Sequence, residues 1–242
     1  MERRKIKEIV ARGERIVFFG GAGTSTESGI PDFRSAAGLY AQETDSPYPP
    51  EVMLSHSFFM RHTELFFTFY RSKMIYRDAQ ANAAHIALSK LERQGRLSAV
   101  VTQNIDGLHQ EAGSRSVYEL HGSVHRNYCM DCRTSYDLDY VVASSSIVPK
   151  CSGCGGIVKP DVVLYEEPLH EETWEGAARK ISEADVLIVG GTSLTVHPAA
   201  QLVRYYQGDS FIIINRDETP YDAYASIVCR DSIGEVLREA VL

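Results

Sequence analysis

Long hydrophobic runs, a secretory leader and an excess of basic charge are all missing from this sequence. No apolar run approaches the roughly 18 residues that a membrane-spanning helix needs. Residues 1–10 carry basic side chains without a following apolar segment, so no secretory signal is recognised. The 242 residues include 32 acidic and 25 basic side chains, and the net charge of −7 disfavours a general nucleic-acid coat, although it permits a local basic groove. We therefore expect a cytoplasmic protein with no membrane association and no direct nucleic-acid binding.

Cysteine is scarce, and four of the five cysteines fall between positions 129 and 154. Chance would place roughly half a cysteine in a segment of that length. Two Cys-x-x-Cys pairs separated by 18 residues match a structural zinc site, whereas two disulfides are disfavoured without a secretory signal. Cys229 is isolated after an apolar run, which favours a buried small apolar residue over a nucleophile. The spacing predicts one structural Zn²⁺, closed to water, with the ligands Cys129, Cys132, Cys151 and Cys154.

Short, apolar, β-branched runs alternate with segments of helical period. Asn82–Gln94 and Ala199–Tyr206 have the helical period. The short apolar runs that alternate with these segments are typical of strands that are buried on both faces of a parallel sheet. Together they predict an α/β fold, a Rossmann-like doubly wound parallel sheet with right-handed crossovers. The expected strands are Arg15–Gly20, Ser98–Thr102, Val162–Tyr165, Val186–Gly190 and Phe211–Asn215.

Two segments interrupt the alternation of strands and helices. We predict that a helical insertion, residues 36–79, and a zinc-binding insertion, residues 125–158, together form a smaller domain. The large domain would then consist of residues 1–35, 80–124 and 159–242. Ligands of open α/β sheets bind outside the carboxyl ends of the strands, so the chemistry is expected there.

A glycine-rich loop follows the first strand directly. Gly20–Thr26 would let backbone N–H groups approach a diphosphate, but it lacks the third glycine of the dehydrogenase fingerprint. A merely tight strand-to-helix turn is an equal alternative. The continuation, Ser28–Arg34, is unusual for a plain turn. Pro31 stiffens it, while Phe33 and Arg34 offer an aromatic face and a fork of donors.

Polar clusters also follow the later strands. Thr102–His109 contains two amides and a carboxylate, which can bind ligand hydroxyls and a carboxamide or, alternatively, cap the loop's own backbone. His121 ends a short apolar stretch, although a lone histidine is more often a hydrogen-bonded structural residue than a base. Gly190–Leu194 and Asn215–Asp217 follow two further strands. Such recurrence is what a large ligand laid across a topological switch point requires.

The order of these motifs resembles the sirtuins, the NAD-dependent protein deacylases. The similarity extends over nearly the whole chain, from about Ile6 to the last helix, and five motifs in the family's order are far more specific than any one of them. The resemblance is closest to sirtuins of the bacterial type and implies an NAD-dependent protein-lysine deacetylase. The matching motifs are Gly21–Arg34, Thr102–Asp106, Leu120–Gly122, the paired Cys-x-x-Cys, and Gly191–Ser193 with Asn215.

The resemblance also implies roles for individual residues. His121 would be the proton acceptor, with Asn104 and Asp106 as further catalytic residues. The peptide would bind along Val162, Val163 and Leu164, and the acyl group would meet Tyr70 and Lys73. The co-substrate NAD would contact Gly21, Ala22, Gly23, Thr26, Phe33, Arg34, Gln103, Asn104, Ile105, Asp106, His121, Gly191, Thr192, Ser193 and Asn215.

In the family's chemistry, the acyl-lysine carbonyl oxygen attacks the anomeric carbon of the nicotinamide ribose, nicotinamide leaves and an alkylimidate forms. His121 would then take a proton through the ribose hydroxyls, so that the 2′-oxygen can attack the imidate carbon. Water completes the reaction to free lysine and O-acetyl-ADP-ribose. An unperturbed imidazole pKa near 6.5 would leave this histidine mostly neutral, and a cleft between two domains would keep water away.

Two segments depart from the family's common patterns. The peptide-binding segment ends in Tyr165, Glu166 and Glu167 instead of Phe-Gly-Glu, and the extra carboxylate would favour basic residues around the target lysine. Where family members that remove acidic acyl groups have Tyr-x-x-Arg, this chain has Tyr70 and Lys73. An ammonium lacks the planar fork that matches a carboxylate, so we predict mainly deacetylation and weak desuccinylation. The alternative is that Lys73 simply faces solvent.

Other functional classes stay open. A nicotinamide dehydrogenase would explain the glycine loop but neither His121 nor the cysteine pairs. A zinc-ribbon nucleic-acid module would explain the cysteines, but Arg126, Arg133 and Lys150 are too few to track a phosphate backbone. Protein ADP-ribosyl transfer is the nearest enzymatic alternative. The physiological acylated protein and the oligomeric state do not follow from the sequence.

Overall fold

The computed structural model describes residues 1–33, 35, 38–41 and 47–242. The α-helices of this part are α1 Glu2–Arg12, α2 Pro50–Met53, α3 His56–Arg61, α4 Thr63–Lys73, α5 Ala83–Arg93, α6 Leu108–Glu111, α7 Leu138–Ala143, α8 Glu171–Ser182 and α9 Ile233–Val241. Its 3₁₀ helices are Ala22–Thr24, Thr26–Ser28, Leu39–Ala41, Ala199–Tyr205 and Asp222–Tyr224. The strands are β1 Ile16–Gly20, β2 Leu97–Thr102, β3 Val117–Glu119, β4 Gly122–Cys129, β5 Ser135–Tyr136, β6 Val158–Val162, β7 Val186–Gly190, β8 Ser210–Ile214 and β9 Ile227–Cys229.

Six strands form one parallel sheet in the order β3-β2-β1-β7-β8-β9. The chain builds outward from β1 in one direction through β2 and β3, and then in the other direction through β7, β8 and β9. The predicted Rossmann-like doubly wound sheet is therefore confirmed. The strand order reverses between β1 and β7, and the carboxyl ends of strands at such a switch point form the crevice in which ligands of these sheets bind.

Helices cover both faces of the six-stranded sheet because the side chains of each strand alternate between the faces. Ile16 and Phe18 of β1 pack with α1, α5 and α9 in one buried cluster. Val17 and Phe19 pack with α8 and the 3₁₀ helix Ala199–Tyr205 in another. All five residues of β1 are buried, as expected for a central parallel strand.

A second sheet, antiparallel and ordered β5-β4-β6, packs against the helical segment. Phe59 and Phe66 of that segment are fully buried and meet edge to face, with ring centroids 4.9 Å apart. They share one apolar cluster with Val124, Leu138 and Val162, which lie in or beside the small sheet. The helical segment and this sheet thus share a core, while the predicted domain boundaries stay a prediction.

The structure differs from the predicted strands in one place. The run Val162–Tyr165 was expected in the parallel sheet, but the strand there is β6, which pairs antiparallel with β4. The residues after β6 form backbone hydrogen bonds to two other segments. Val163 N–H donates to His121 O, and Tyr165 N–H donates to Leu54 O, both over 3.0 Å. An apolar run reports burial but not its partner, and that is why this strand was assigned to the wrong sheet.

Three shorter differences concern local structure. Ala199–Tyr205 is a 3₁₀ helix and not an α-helix. Strands β3 and β9 were not predicted, because three residues are too few for a periodic signal. Cys229, in β9, is 1% exposed, as expected of a small apolar residue. In the described part of the chain, no helix combines the length and apolarity needed to cross a membrane.

Candidate active site

A large cavity opens at the switch point, against the carboxyl ends of β1, β2, β7 and β8. Its volume is about 1070 Å³, slightly above the range of roughly 300–1,000 Å³ that is typical of small-molecule sites. Arg34, expected in its wall, lies outside the described residues. The expected site residues that do line it are Gly21, Ala22, Gly23, Thr26, Phe33, Lys73, Gln103, Asn104, Ile105, Asp106, His121, Val162, Val163, Leu164, Gly191, Thr192, Ser193 and Asn215.

Glycines let the loops after β1 and β7 touch. Gly23 N–H donates to the Gly191 carbonyl over 2.8 Å, and a Cβ at Gly23 would lie 2.7 Å from Gly191 Cα. Gly191 has φ +60°, and a Cβ there would overlap the backbone of Thr24. The N–H of Gly23 is used between the loops, and the expected contact of the glycine loop with a diphosphate stays a prediction. In the described part of this loop, the amides of Ala22 and Thr26 have no backbone acceptor and stay available to an anion.

A chain of hydrogen bonds joins the loop after β2 to the loop after β1. Asn104 Nδ2 donates to Ser25 Oγ over 3.0 Å, and Ser25 Oγ donates to Asp106 Oδ2 over 2.6 Å. The other carboxylate oxygen of Asp106 accepts from Leu108 N–H at 3.0 Å. The alternative of a loop that caps its own backbone is thus right for one oxygen of Asp106 and for the Thr102 hydroxyl, which accepts from Asn104 N–H at 3.0 Å. The remaining bonds cross between loops and fix the amide and the carboxylate against the cavity.

His121 lies between β3 and β4 in the cavity wall. Its Nδ1 is 3.0 Å from the Gln103 carbonyl oxygen. Because a carbonyl can only accept, Nδ1 carries the hydrogen and Nε2 keeps a lone pair. Burial lowers the pKa of His121 below its ordinary value, and the bond to Gln103 opposes this only in part. His121 is therefore a neutral base at pH 7 with one nitrogen available.

Ser25 is a site residue that the sequence did not indicate. The turn contains two serines, and nothing in their spacing says which one meets the carboxylate of the neighbouring loop. In the fold, Ser28 Oγ accepts instead from Asn82 Nδ2 at 3.0 Å. The same amide nitrogen donates to Thr24 O over 2.8 Å, which ties the turn to the start of α5. The roles of the two hydroxyls are thus set by tertiary packing.

The carboxylates of Glu166 and Glu167, in the segment that differs from the family's Phe-Gly-Glu, both form hydrogen bonds within the protein. Glu166 accepts from Ser57 N–H at 2.9 Å and from Ser57 Oγ at 3.0 Å, at the start of α3. Its φ of +77° is a left-handed conformation that favours glycine, the residue common in the family here. Glu167 Oε1 is 2.8 Å from His56 Nδ1, and its Oε2 accepts from Leu164 N–H at 2.9 Å. A preference for basic peptides stays a prediction, with these bonds competing for the same oxygens.

Tyr70 and Lys73 occupy different environments although one helix carries both. Tyr70 is fully buried, stacks on Phe66 with ring centroids 5.6 Å apart, and is absent from the described wall of the cavity. Its phenol faces the aromatic core because positions 66, 67 and 70 form the apolar face of α4. Tyr70 is thus not among the described residues that line the cavity, and its expected contact with the acyl group stays a prediction. Lys73 does line the cavity, so the alternative of a purely solvent-facing lysine is not favoured.

Four sulfur atoms meet at the far end of β4, away from the cavity wall. All four lie within 4.8 Å of one another, and the pairs 129–154 and 132–151 are each 3.5 Å apart. Zinc–sulfur bonds of about 2.3 Å in a tetrahedron put the sulfurs about 3.8 Å apart, so this donor set fits Zn²⁺. Tyr136 Oη donates to Cys151 Sγ over 3.0 Å, and this bond together with backbone hydrogen bonds from Cys154 and Gly153 lowers the pKa of that thiol to about 6, which favours the thiolate that binds metal. The residues that would hold the metal are Cys129, Cys132, Cys151 and Cys154.

The chain matches a known family over most of its length. A model of the Sir2 family matches residues 21–198. A protein of Clostridium acetobutylicum named NAD-dependent protein deacetylase is 62% identical over 237 residues, which are 98% of this chain and 97% of that protein. A protein of the same name from Cutibacterium acnes is 56% identical over 237 residues, 98% of this chain and 96% of that protein.

Solved structures are similar over the same extent. A Sir2 protein with a deacetylated p53 peptide and 3′-O-acetyl ADP ribose has a TM-score of 0.90 and 35% identity, with 100% of both chains covered. A Sir2Tm structure with a propionylated peptide has a TM-score of 0.86 and 36% identity, covering 98% of this chain and 96% of that one. Sequence identities at this level over nearly the full chain establish both its fold and the family to which it belongs.

Proposed function

This chain belongs to the Sir2 family, and from that premise we propose that it is an NAD-dependent protein-lysine deacetylase. The enzyme transfers the acetyl group of acetyl-lysine to ADP-ribose and releases nicotinamide. The observation that carries the proposal is His121, a neutral base with a free Nε2 in the wall of a cavity at the switch point. Relatives named for this activity support it at up to 62% identity over nearly the full chain.

The residues present fit NAD. The amides of Ala22 and Thr26 provide donors for a diphosphate, and Gly23 lets that loop pack against Gly191. Thr192, Ser193 and Asn215 line the part of the cavity beyond β7 and β8, which suits the adenosine end. When bound, NAD supplies a nicotinamide leaving group on the ribose and an ADP-ribose acceptor for the acyl group.

His121 is proposed as the proton acceptor. The Gln103 carbonyl holds Nδ1–H, so Nε2 is the atom that receives a proton from a ribose hydroxyl. Burial keeps the imidazole neutral before the reaction. General-base catalysis of this kind contributes about 10²- to 10⁴-fold. We assign no other proton acceptor to the site.

Asn104 and Asp106 are proposed to orient the nicotinamide half of NAD. The Asn104–Ser25–Asp106 chain fixes both side chains before any ligand enters, so little entropy is lost when they bind. Phe33 lines the same cavity and packs edge to face on Tyr40 at 5.6 Å, which helps to exclude water from the reacting carbon.

The acyl-lysine peptide is proposed to bind as an extended strand beside Val162–Leu164. The backbone there is already extended, and Val162, Val163 and Leu164 all line the cavity. A peptide added to such a segment gains main-chain hydrogen bonds with little demand on side-chain identity.

The activity is tested by incubating the protein with NAD and an acetyl-lysine peptide and following the products by mass spectrometry. We expect nicotinamide, deacetylated peptide and O-acetyl-ADP-ribose in equal amounts. Free acetate without O-acetyl-ADP-ribose, or ADP-ribose attached to the peptide or the protein, would overturn the proposal in favour of simple hydrolysis or ADP-ribosyl transfer.

Acyl preference is proposed to follow Lys73. This residue lines the cavity, and its ammonium offers charge but no planar fork to a succinyl carboxylate. We expect kcat/KM for acetyl-lysine to exceed that for succinyl-lysine, and Lys73→Arg to narrow the ratio. A succinyl preference in the unaltered protein would contradict the assignment.

A further inference from the structure

Strand β4 contains a bulge beside the cavity. Ser123 pairs with Asp161, and the next paired residue of β4, Asn127, faces Pro160, the immediate neighbour of Asp161. Residues 124–126 are therefore extra on the β4 side, and we call them the β4 bulge. Bulges beside active sites redirect side chains that a regular strand would point elsewhere.

The first two residues of the bulge hold the loop after β2 by its carbonyl groups. Val124 N–H donates to Ile105 O over 3.0 Å. The Nε2 of His125 is 3.0 Å from Asp106 O, and because a carbonyl only accepts, this nitrogen carries the hydrogen. Two consecutive peptide groups of the loop are thus held by residues of the small sheet, whereas Ser25 contacts the side chains of Asn104 and Asp106.

The imidazole of His125 also explains a glycine. Gly107 follows Asp106 with φ +75°, and a Cβ there would lie 2.7 Å from Cδ2 and 2.8 Å from Nε2 of His125. The ring therefore rests directly on the backbone of residue 107. The His125 ring thus meets the loop in two ways, through the hydrogen bond to Asp106 O and through the close approach of its Cδ2–Nε2 edge to Gly107.

The third residue anchors the bulge itself. Arg126 pairs with Glu119 of β3 and, through Nε at 2.9 Å, with Asp161 of β6. Glu119 lies two residues before His121, so this ion pair joins the six-stranded sheet to the small sheet beside the proposed base. The end of the bulge that lies away from His121 is thus tied by Arg126 to a strand of each sheet.

We propose that His125 is a positioning residue for the nicotinamide pocket: its Nε2–H holds the Asp106 peptide and so keeps the 104–107 loop ready for the carboxamide. The inference rests on the proposed function of that loop. His125 lines the cavity and is exposed, so its removal leaves the apolar core intact. Loosening the loop adds an ordering cost to binding and weakens affinity for the nicotinamide group.

The test compares the unaltered protein with His125→Phe and His125→Gln. Phenylalanine keeps a flat ring on Gly107 but cannot donate, whereas the glutamine amide donates from a position comparable to Nε2. We expect His125→Phe to raise KM for NAD and the nicotinamide concentration for half-inhibition by about fivefold, the value of one hydrogen bond. His125→Gln should stay within about twofold of the unaltered protein, and neither variant should change Tm appreciably.

Hydrogen exchange gives a readout that does not depend on turnover. The amides of residues 105–108 should exchange faster in His125→Phe than in His125→Gln, with α5 and β1 unchanged. Equal behaviour of the two variants, in kinetics and in exchange, would overturn the positioning role of the hydrogen bond. An unaltered protein with no deacetylase activity would instead contradict the proposed function, and the exchange comparison would still decide whether His125 holds the loop.

Discussion

The six-stranded sheet and the cysteine-bearing end of the small sheet are stabilised in different ways. The large sheet is covered by two apolar clusters, which include four side chains of β1 alone. The cysteine end has a cluster of four buried residues, Cys129, Val141, Cys151 and Val158, and two of these are expected metal ligands. The burial of so few apolar side chains cannot offset the conformational entropy that is lost when the segment folds. We therefore expect a bound metal to supply the missing stabilisation.

The two regions also have separate roles: the cysteine-bearing end supports β4, and the large sheet carries the proposed base. Strand β4 starts immediately after His121 and ends at Cys129, so the metal end supports the strand that leaves the proposed base. The base, the amides and the loop glycines lie at the carboxyl ends of strands of the large sheet, and we expect that sheet to stay folded without the metal. We expect each of the changes below to affect mainly one region, so that the other region or a second variant can serve as the control.

Removal of the metal should have the largest effect. Structural zinc sites contribute on the order of 10 kcal/mol at neutral pH, so chelation or Cys151→Ser should unfold β4–β6 and abolish activity as a consequence. Metal content and hydrogen exchange measure this directly. Cys229→Ser is the matched control, since Cys229 lies in β9 of the large sheet and should leave the zinc content unchanged. Loss of ordered β1 and β7 together with the small sheet would contradict the division.

His121→Ala should abolish most of the turnover without loss of stability. A general base contributes about 10²- to 10⁴-fold, and we expect kcat to fall by that amount with metal content and Tm retained. His170→Ala is a suitable comparison, because His170 is exposed and absent from the described cavity wall. A variant that loses zinc or melts early would mean that His121 has a structural role.

Gly23→Ala should weaken NAD binding by separating two loops of the large sheet. The new Cβ would lie 2.7 Å from Gly191 Cα. The backbone of the two loops would have to move apart, at a free-energy cost of about 1–3 kcal/mol. If that cost falls on binding, KM for NAD should rise about 5- to 150-fold, measured by steady-state kinetics. Gly153→Ala in the cysteine segment is the control: its Cβ would stand 3.8 Å from Cys151 Sγ, an ordinary contact. An unchanged KM in Gly23→Ala would show that the loops can part freely.

The large sheet should lose stability in acid through a buried histidine pair. His85 and His109 pack with ring centroids 4.7 Å apart, and burial lowers the pKa of each below the ordinary 6.5 or so. As pH falls below about 6.5, the unfolded chain takes up protons that the folded chain refuses, so the free energy of unfolding declines by up to about 1.4 kcal/mol per pH unit per histidine. Urea titrations between pH 5 and 7.5 measure the slope, and His109→Phe should flatten it. A slope unaffected by that change would contradict the assignment.

The two regions also differ in how far the sequence predicted them. The parallel strands were predicted because β1, β2, β7 and β8 are β-branched runs buried on both faces, and the metal site because cysteine spacing is a strong local signal. His121 was identified through the order of motifs and not from its own surroundings. The Ser25 hydroxyl, the bulge that presents His125 and the burial of Tyr70 could not be predicted. Each depends on the register and contact of segments far apart in sequence.

We propose that a neutral histidine at the carboxyl ends of the central strands performs the chemistry, while the metal only supports the fold. The most direct test is the pH dependence of kcat/KM for an acetyl-lysine peptide, measured on zinc-loaded and cobalt-loaded protein. Because His121 acts in its neutral form and burial lowers its pKa, we expect activity to fall only as pH drops below about 6.5. Superimposable profiles for the two metals are the predicted result. A profile whose midpoint moves with the metal would put the metal in the reaction and contradict the claim.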